Sequence, residues 1–311
     1  MKYEIKNILV PTDFSDCANN ALKVAIGMAK RHNATLHLLH SVEPIYFGRT
    51  YNVLGSMVDL QSTMVNIGTT NLLVHEQKIV SVQGINVNTF CAVGSVSSIV
   101  DNYVIEHNID LVVMGTHGAN GFKEFFAGSN TYDVIKSATC PVLSIPQSFD
   151  KTGFNSILFP IRAVDGVIEK YDYIKPIVEK NDAVIHILGV AFENDMQERY
   201  AVNVDFDTVK KAINHDATYM TYEAVQSTDI ADTILAVANK RNDDLMIINA
   251  TLDKKWYQFF KGNYTQKIIN HSKIPVLSVK PELTPVLVEI VQQYAVAQAS
   301  SYAPLTIQPI Y

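Results

Sequence analysis

The sequence predicts an α/β protein made of two successive parallel sheets, each covered by helices on both faces. Three observations carry that reading. Apolar runs of strand length alternate with segments of helix length, and strands so separated must pair in parallel through right-handed crossovers. The run Ile-Leu-Val-Pro at residues 8–11 returns as Ile-Leu-Phe-Pro at 157–160, and FFAGSNTYDVIKSATCPVLS (125–144) aligns without a gap on FFKGNYTQKIINHSKIPVLS (259–278), a constant offset of 134. Similarity at a fixed offset marks duplicated units. The chain of 311 residues, 48% hydrophobic and 18% charged, has room for two ordinary cores.

The first unit opens on residues 6–12, a continuous apolar run suited to a buried strand. Residues 16–32 place Ala18, Ala21, Leu22, Ala25 and Ala29 at helical spacing, with Ser15 or Asp16 as a natural N-cap. Residues 35–42 form the second strand. A loop is expected from 43 to about 56, then a helix towards 82 and a strand over 88–93. Helix 96–107, strand 110–115, helix 129–137 and strand 141–145 complete the unit. In the second unit, strands are expected at 156–161, 183–191, 218–225, 244–249 and 275–279. The domains are thus residues 1–147 and 154–281, joined by a short polar stretch. Residues 282–311 form a tail with one helical run (286–299) and two charges, Glu282 and Glu289, apolar enough to dock on its own chain or on another.

Charge excludes several function classes. The net charge is −6, and the halves divided at residue 147 carry 9 basic against 11 acidic and 16 against 20 residues, so neither offers a basic face. Nucleic acids and anionic membranes both demand clustered Lys and Arg, and neither is an expected partner. Cys17, Cys91 and Cys140 show no CxxC spacing and read as small buried hydrophobes. His37, His40 and His186 fall in strand patterns without metal-ligand spacing, so no protein metal site is expected. No leader or membrane span is read from the residues, which makes the cytoplasm the expected compartment.

Residues 115–129, GTHGANGFKEFFAGS, are the informative stretch. Gly115 and Gly118 follow the fourth strand, and Gly128-Ser129 opens a helix. Glycine lets the backbone approach a ligand, while a helix N-terminus presents unpaired N–H groups, a combination suited to an anion. There is no GxxxxGK[ST], and no GxGxxG follows a strand, so P-loop and dinucleotide fingerprints are absent. His117 and Lys123 within the loop read as solvated. Open α/β sheets bind ligands where the winding reverses, here beyond the first and fourth strands.

Gly-x2-Gly-x9-Gly-Ser at Gly115, Gly118, Gly128 and Ser129, with ILVPTDFS at 8–15 and PVLSIP at 141–146, resembles the universal stress protein family, in its ATP-binding branch, over residues 5–281. The resemblance implies two Rossmann-like, open, five-stranded sheets of order 3-2-1-4-5. It implies ATP, arriving with Mg²⁺, held by Pro11, Thr12, Asp13, Ser41, Gly94, Met114, Gly115, Gly118, Gly128, Ser129 and Asn130. The adenine would lie by Asp13 and Ser41, and the ribose and phosphates on the glycine loop and Gly128-Ser129. Ser41 stands where the family usually has an aliphatic residue, and Val96 where it commonly has proline.

At the matched offset Gly115 becomes Asn249, Gly118 becomes Leu252 and Ser129 becomes Asn263, while the first strands align Asp13 with Arg162 and Gly262 is kept. The second unit is therefore expected not to bind ATP in the same manner, with Arg162 read as a surface or interdomain salt-bridge residue. The resemblance further implies that strands 141–145 and 275–279 meet antiparallel as an intramolecular pseudo-dimer; a further homodimer is compatible with it. No general base or cation clamp is visible beside a γ-phosphate. The expected role is an ATP-binding stress or regulatory module. The alternatives are a structural interaction protein and an adenylyl-transfer enzyme, whose SGGxDS or HxGH signatures do not occur.

Overall fold

The computed structural model describes residues 3–45, 54–116, 129–163, 167–215, 219–250 and 264–280. Ten strands are present: β1 (Asn7–Pro11), β2 (Thr35–Val42), β3 (Val87–Val93), β4 (Leu111–Gly115), β5 (Val142–Ile145), β6 (Ser156–Ile161), β7 (Val184–Phe192), β8 (Met220–Ser227), β9 (Leu245–Asn249) and β10 (Val276–Val279). The helices are α1 (Asp16–His32), α2 (Leu54–Gln83), α3 (Val96–Glu106), α4 (Ser129–Ser137), α5 (Val167–Asn181), α6 (Met196–His215), α7 (Ile230–Arg241) and α8 (Tyr264–His271). The tail run 286–299, the loop carrying Gly118 and Gly128, and the segment with Leu252 and Asn263 lie outside the described residues.

All ten strands share one open sheet, ordered β3-β2-β1-β4-β5-β10-β9-β6-β7-β8. The expected order 3-2-1-4-5 is present, and the second five strands repeat it in mirror sequence outward from the centre. Every neighbouring pair is parallel except one. β5 and β10 pair antiparallel, with Val276 opposite Ser144 and Ser278 opposite Val142. The Ser144 hydroxyl also donates to the Val276 carbonyl at 3.2 Å.

Burial tracks position in the sheet. The inner strands β1, β5, β9 and β10 are almost wholly buried, whereas the edge strands β3 and β8 expose much of their length. A strand covered on both faces can be apolar throughout, while one at an edge must be partly polar. One core lies under α1, α2, α5 and α6 and includes Leu143 and Leu277; the other lies under α3, α4, α7 and α8 and includes Val142 and Val276. Both cores therefore run across the β5–β10 junction.

Local chemistry sets the boundaries. The Ser15 side chain caps α1 by accepting from the Ala18 amide, and Asn33 ends it in the left-handed conformation at φ 54°. Asp229 and Asn242 (φ 55°) do the same for α7. Asn at a left-handed C-cap is the usual substitute for glycine. The residue just before β4, Asp110, accepts from the Lys6 and Asn7 amides at 2.8 Å. Its counterpart Asp244 accepts from the Asn155 amide at 2.9 Å and pairs with Lys151. The same device thus pins the start of β1 and of β6.

The connection between the halves, expected to be polar, is anchored. Phe149 and Phe154 are buried with stacked rings 6.0 Å apart. Asn20 of α1 donates to the Phe149 carbonyl at 2.7 Å, and Arg31 donates to the Thr152 carbonyl. Phe154→Ala, which leaves a cavity at this joint, is expected to cost about 3–5 kcal/mol, measured by urea denaturation followed by circular dichroism.

Candidate functional site

The carboxyl ends of β1, β2 and β4 form the place where the first half's winding reverses. Pro11 and Thr12 are buried at the end of β1, with the Thr12 amide donating to the Leu39 carbonyl at 2.8 Å. The chain then turns sharply. Phe14 takes φ 64°, a left-handed conformation that costs a bulky residue free energy. Two side chains hold the turn, with Thr12 Oγ1 accepting from the Phe14 amide and Asp13 Oδ1 from the Ser15 amide, each at 3.0 Å. Asp13 itself is exposed.

The strained turn sets Phe14 against His40, with ring centroids 4.7 Å apart, and 5.5 Å from the His75 ring of α2. His40 Nδ1 lies 2.8 Å from the Thr12 carbonyl. A carbonyl only accepts, so Nδ1 carries the proton. α2 closes on this ring because position 68 is glycine: a Cβ there would lie 2.5 Å from His40 Cδ2 and 3.1 Å from Cys91 Sγ. Beside this packing a cavity of about 550 Å³ opens, lined by Phe14, His40, Ser41, residues 42–45, and Met64, Ile67, Gly68 and Asn71 of α2. Its size falls within the range typical of small-molecule sites.

The residues singled out in the sequence divide into two groups. Ser41 lines the cavity, and its hydroxyl donates to the Gly94 carbonyl at 2.6 Å, tying β2 to the end of β3. Pro11, Thr12 and Asp13 adjoin it through Phe14. Gly115, Ser129 and Asn130 lie across β1, at the end of β4 and the start of α4. Thr131 Oγ1 donates to the Gly115 carbonyl at 2.9 Å, fixing the start of α4 beside β4. A Cβ at Gly115 would stand 2.7 Å from Cys17 Sγ and 3.0 Å from the Cys17 backbone. Glycine is required there for the approach of β4 to α1. Met114 is buried in the core, so only its backbone reaches this edge. Gly118 and Gly128 lie outside the described residues. Sequence reasoning missed Phe14 and the whole α2 contribution, and it read His40 only as a strand histidine without metal-ligand spacing.

The corresponding edge of the second half is built differently. Arg162, aligned with Asp13, stacks its guanidinium 4.2 Å from the ring centroid of Tyr264, the first residue of α8. Tyr264 is buried. Arg162 therefore spans from the end of β6 to the start of α8. Beneath it Lys170 is 3% exposed, donates to the Pro160 carbonyl and sits 4.3 Å over the Phe159 ring. Burial, and then the nearby Arg162 charge, push its ammonium down to about 7. Side chains of the chain itself thus occupy the second edge.

Among the described residues no group of His, Cys, Asp and Glu could hold a metal ion, and no helix is long and apolar enough to cross a membrane. The fold and this edge define a doubly wound α/β protein with a cavity at the topological switch point. Residues 4–146 match the model of the universal stress protein family. A universal stress protein of Methanocaldococcus jannaschii is 31% identical over 141 residues, 45% of this chain and 81% of the relative. A Staphylococcus aureus relative is 32% identical over 143 residues, 45% of this chain and 83% of its own. A crystal structure of a universal stress protein from Archaeoglobus fulgidus superposes with a TM-score of 0.68 at 19% identity, covering 90% of this chain and 97% of the other. The chain belongs to the universal stress protein family.

Two outcomes follow from the packing. Gly115→Ala forces α1 and β4 apart and is expected to destabilise the protein by about 1–3 kcal/mol, read as a lowered thermal midpoint. Lys170 titrates near 7 when folded and near 10.5 when unfolded, so its burial penalty is full below pH 7 and is relieved as pH rises to 10.5. Lys170→Met is therefore expected to be more stable than wild type at pH 7, with the advantage shrinking towards pH 10.5 in paired denaturation curves.

Proposed function

We propose that this chain is an ATP-binding regulatory module, with nucleotide held by the first domain (residues 1–147) and none held in that pose by the second (154–281). The observation that carries the reading is the 550 Å³ cavity at the carboxyl ends of β1 and β2, beside the turn of Thr12, Asp13 and Phe14. The fit to ATP is physical. The cavity has apolar walls in Phe14, Met64 and Ile67 and polar groups in Ser41 and Asn71, which suits a purine. The helix α4 begins at the neighbouring strand end, where its unpaired N–H groups favour phosphates.

In this reading Pro11, Thr12, Asp13, Ser41 and Gly94 flank the base, while Gly115, Gly118, Gly128, Ser129 and Asn130 flank the ribose and phosphates, with Met114 behind them. Mg²⁺ comes with the nucleotide. The chemistry supplied is occupancy rather than turnover. A ligand in the cavity joins the end of β2 to α2 and to residues 43–45, and so favours one arrangement of that segment. The Arg162–Tyr264 stack is what argues against the same pose in the second domain. The two domains act as a pseudo-dimer joined through β5 and β10, in the cytoplasm.

Isothermal titration with Mg·ATP is expected to give one site per chain, and Gly118→Leu to remove it. Equal affinity in wild type and Gly118→Leu, or no affinity in either, sinks the reading. The alternative of a purely structural interaction protein is favoured by the apolar surface of α2. Mass spectrometry of nucleotide released from freshly purified protein separates the two.

A further inference from the structure

α4 is a helix of nine residues, too short to hold its place without partners. Its apolar side, Val134 and Ile135 with the adjoining Ala138, is buried in the core. Its start is tied to β4 by the Thr131 hydroxyl. Its end leaves carbonyls without helical partners. The lysine of its own last turn, Lys136, is engaged elsewhere, by Asp133 at 2.5 Å and the Tyr132 ring. The other half of the chain meets these carbonyls instead. Lys280, half-buried and directly after β10, donates to the Lys136 and Ala138 carbonyls at 2.6 Å each. The antiparallel joint brings it there, because the end of β10 lies beside the start of β5, where the chain has just left α4.

The contact is one-sided. At the offset of 134 Lys280 falls on Pro146, which offers α8 neither a charge nor a backbone donor. Resting on the nucleotide reading above, we propose that Lys280 is a positioning residue, by which the second half holds the phosphate end of the first half's site. Ser129 and Asn130 begin α4 where that reading places the phosphates, and Lys280 grips the opposite end. A cation at the carboxyl end of a helix and an anion at its amino end both suit the helix dipole. About 13 Å of helix separates the two ends, so Lys280 touches no phosphate. It acts by keeping the first turn of α4 in place, which spares the ligand the cost of ordering that turn. The half whose helix start is assigned to phosphates is thus the half whose helix end receives this lysine.

Isothermal titration of the full chain compares Mg·ATP with adenosine, which lacks the phosphates, on wild type, Lys280→Met and Lys280→Arg. Lys280→Met is expected to weaken Mg·ATP about fivefold, at low and high salt alike, and to leave adenosine unchanged. Lys280→Arg, whose guanidinium can meet the same carbonyls, is expected to restore the affinity for Mg·ATP. Hydrogen exchange read by mass spectrometry is expected to quicken in α4 of Lys280→Met, with α8 and the circular dichroism spectrum unchanged. Lys280→Met that binds Mg·ATP as wild type does overturns the proposal and leaves the nucleotide reading standing. An equal loss for adenosine, a loss that vanishes at high salt, no recovery in Lys280→Arg, or unaltered exchange in α4 also overturns it. A wild type without affinity for Mg·ATP removes the nucleotide reading itself, and the role of Lys280 with it.

Discussion

The antiparallel pairing of β5 with β10 is the contact on which the rest of the molecule depends. Each is a four-residue strand that would otherwise be the bare edge of a five-stranded sheet. A bare edge offers unpaired N–H and C=O groups to any other chain. Joined, the two strands become the centre of ten, wholly buried, and the helical layers on both faces merge across them. Each half thus supplies the cover that the other lacks. The anchored connection through Phe149 and Phe154 brings the two edges together within one chain, which lowers the entropy cost of their meeting.

Much of this architecture was legible in the sequence because it rests on local pattern. The continuous apolar runs of β1 and β9 and the helical spacing in α1 are properties of short windows, and the offset of 134 is visible without any contact map. What stayed hidden was non-local. Nothing in the run 146–154 announces that its two phenylalanines pack beneath α1. Likewise Gly68 reads as a weak point in a helix until His40, on another element, is found 2.5 Å from where its Cβ would stand.

The candidate site shows the same division. Gly115 was singled out for the freedom of its backbone near a ligand, and the structure gives it a second reason, the contact with Cys17. These are compatible, since a strand end that lies close to α1 also leaves its backbone uncovered. Asp13 was singled out for its side chain, which is spent on the turn that orients Phe14. The wall supplied by α2 had no signature in the sequence, because Met64, Ile67 and Asn71 are ordinary helix residues whose meaning comes from the cavity beside them.

The antiparallel joint also constrains how the halves can cooperate. In a parallel sheet all strand carboxyl ends point one way, and reversing one half against the other puts its carboxyl edge at the opposite end of the sheet. The Arg162–Tyr264 edge therefore cannot lend a side chain to the cavity of the first half. The two edges were free to diverge, since replacing Asp13 by Arg162 changes nothing within reach of the other. Any influence of one edge on the other must pass through the packed sheet and the shared cores, which include Leu143 and Leu277 at the junction of the halves. A change in the second half thus reaches the cavity through β5 and β10, or through the packing of α5 on α1.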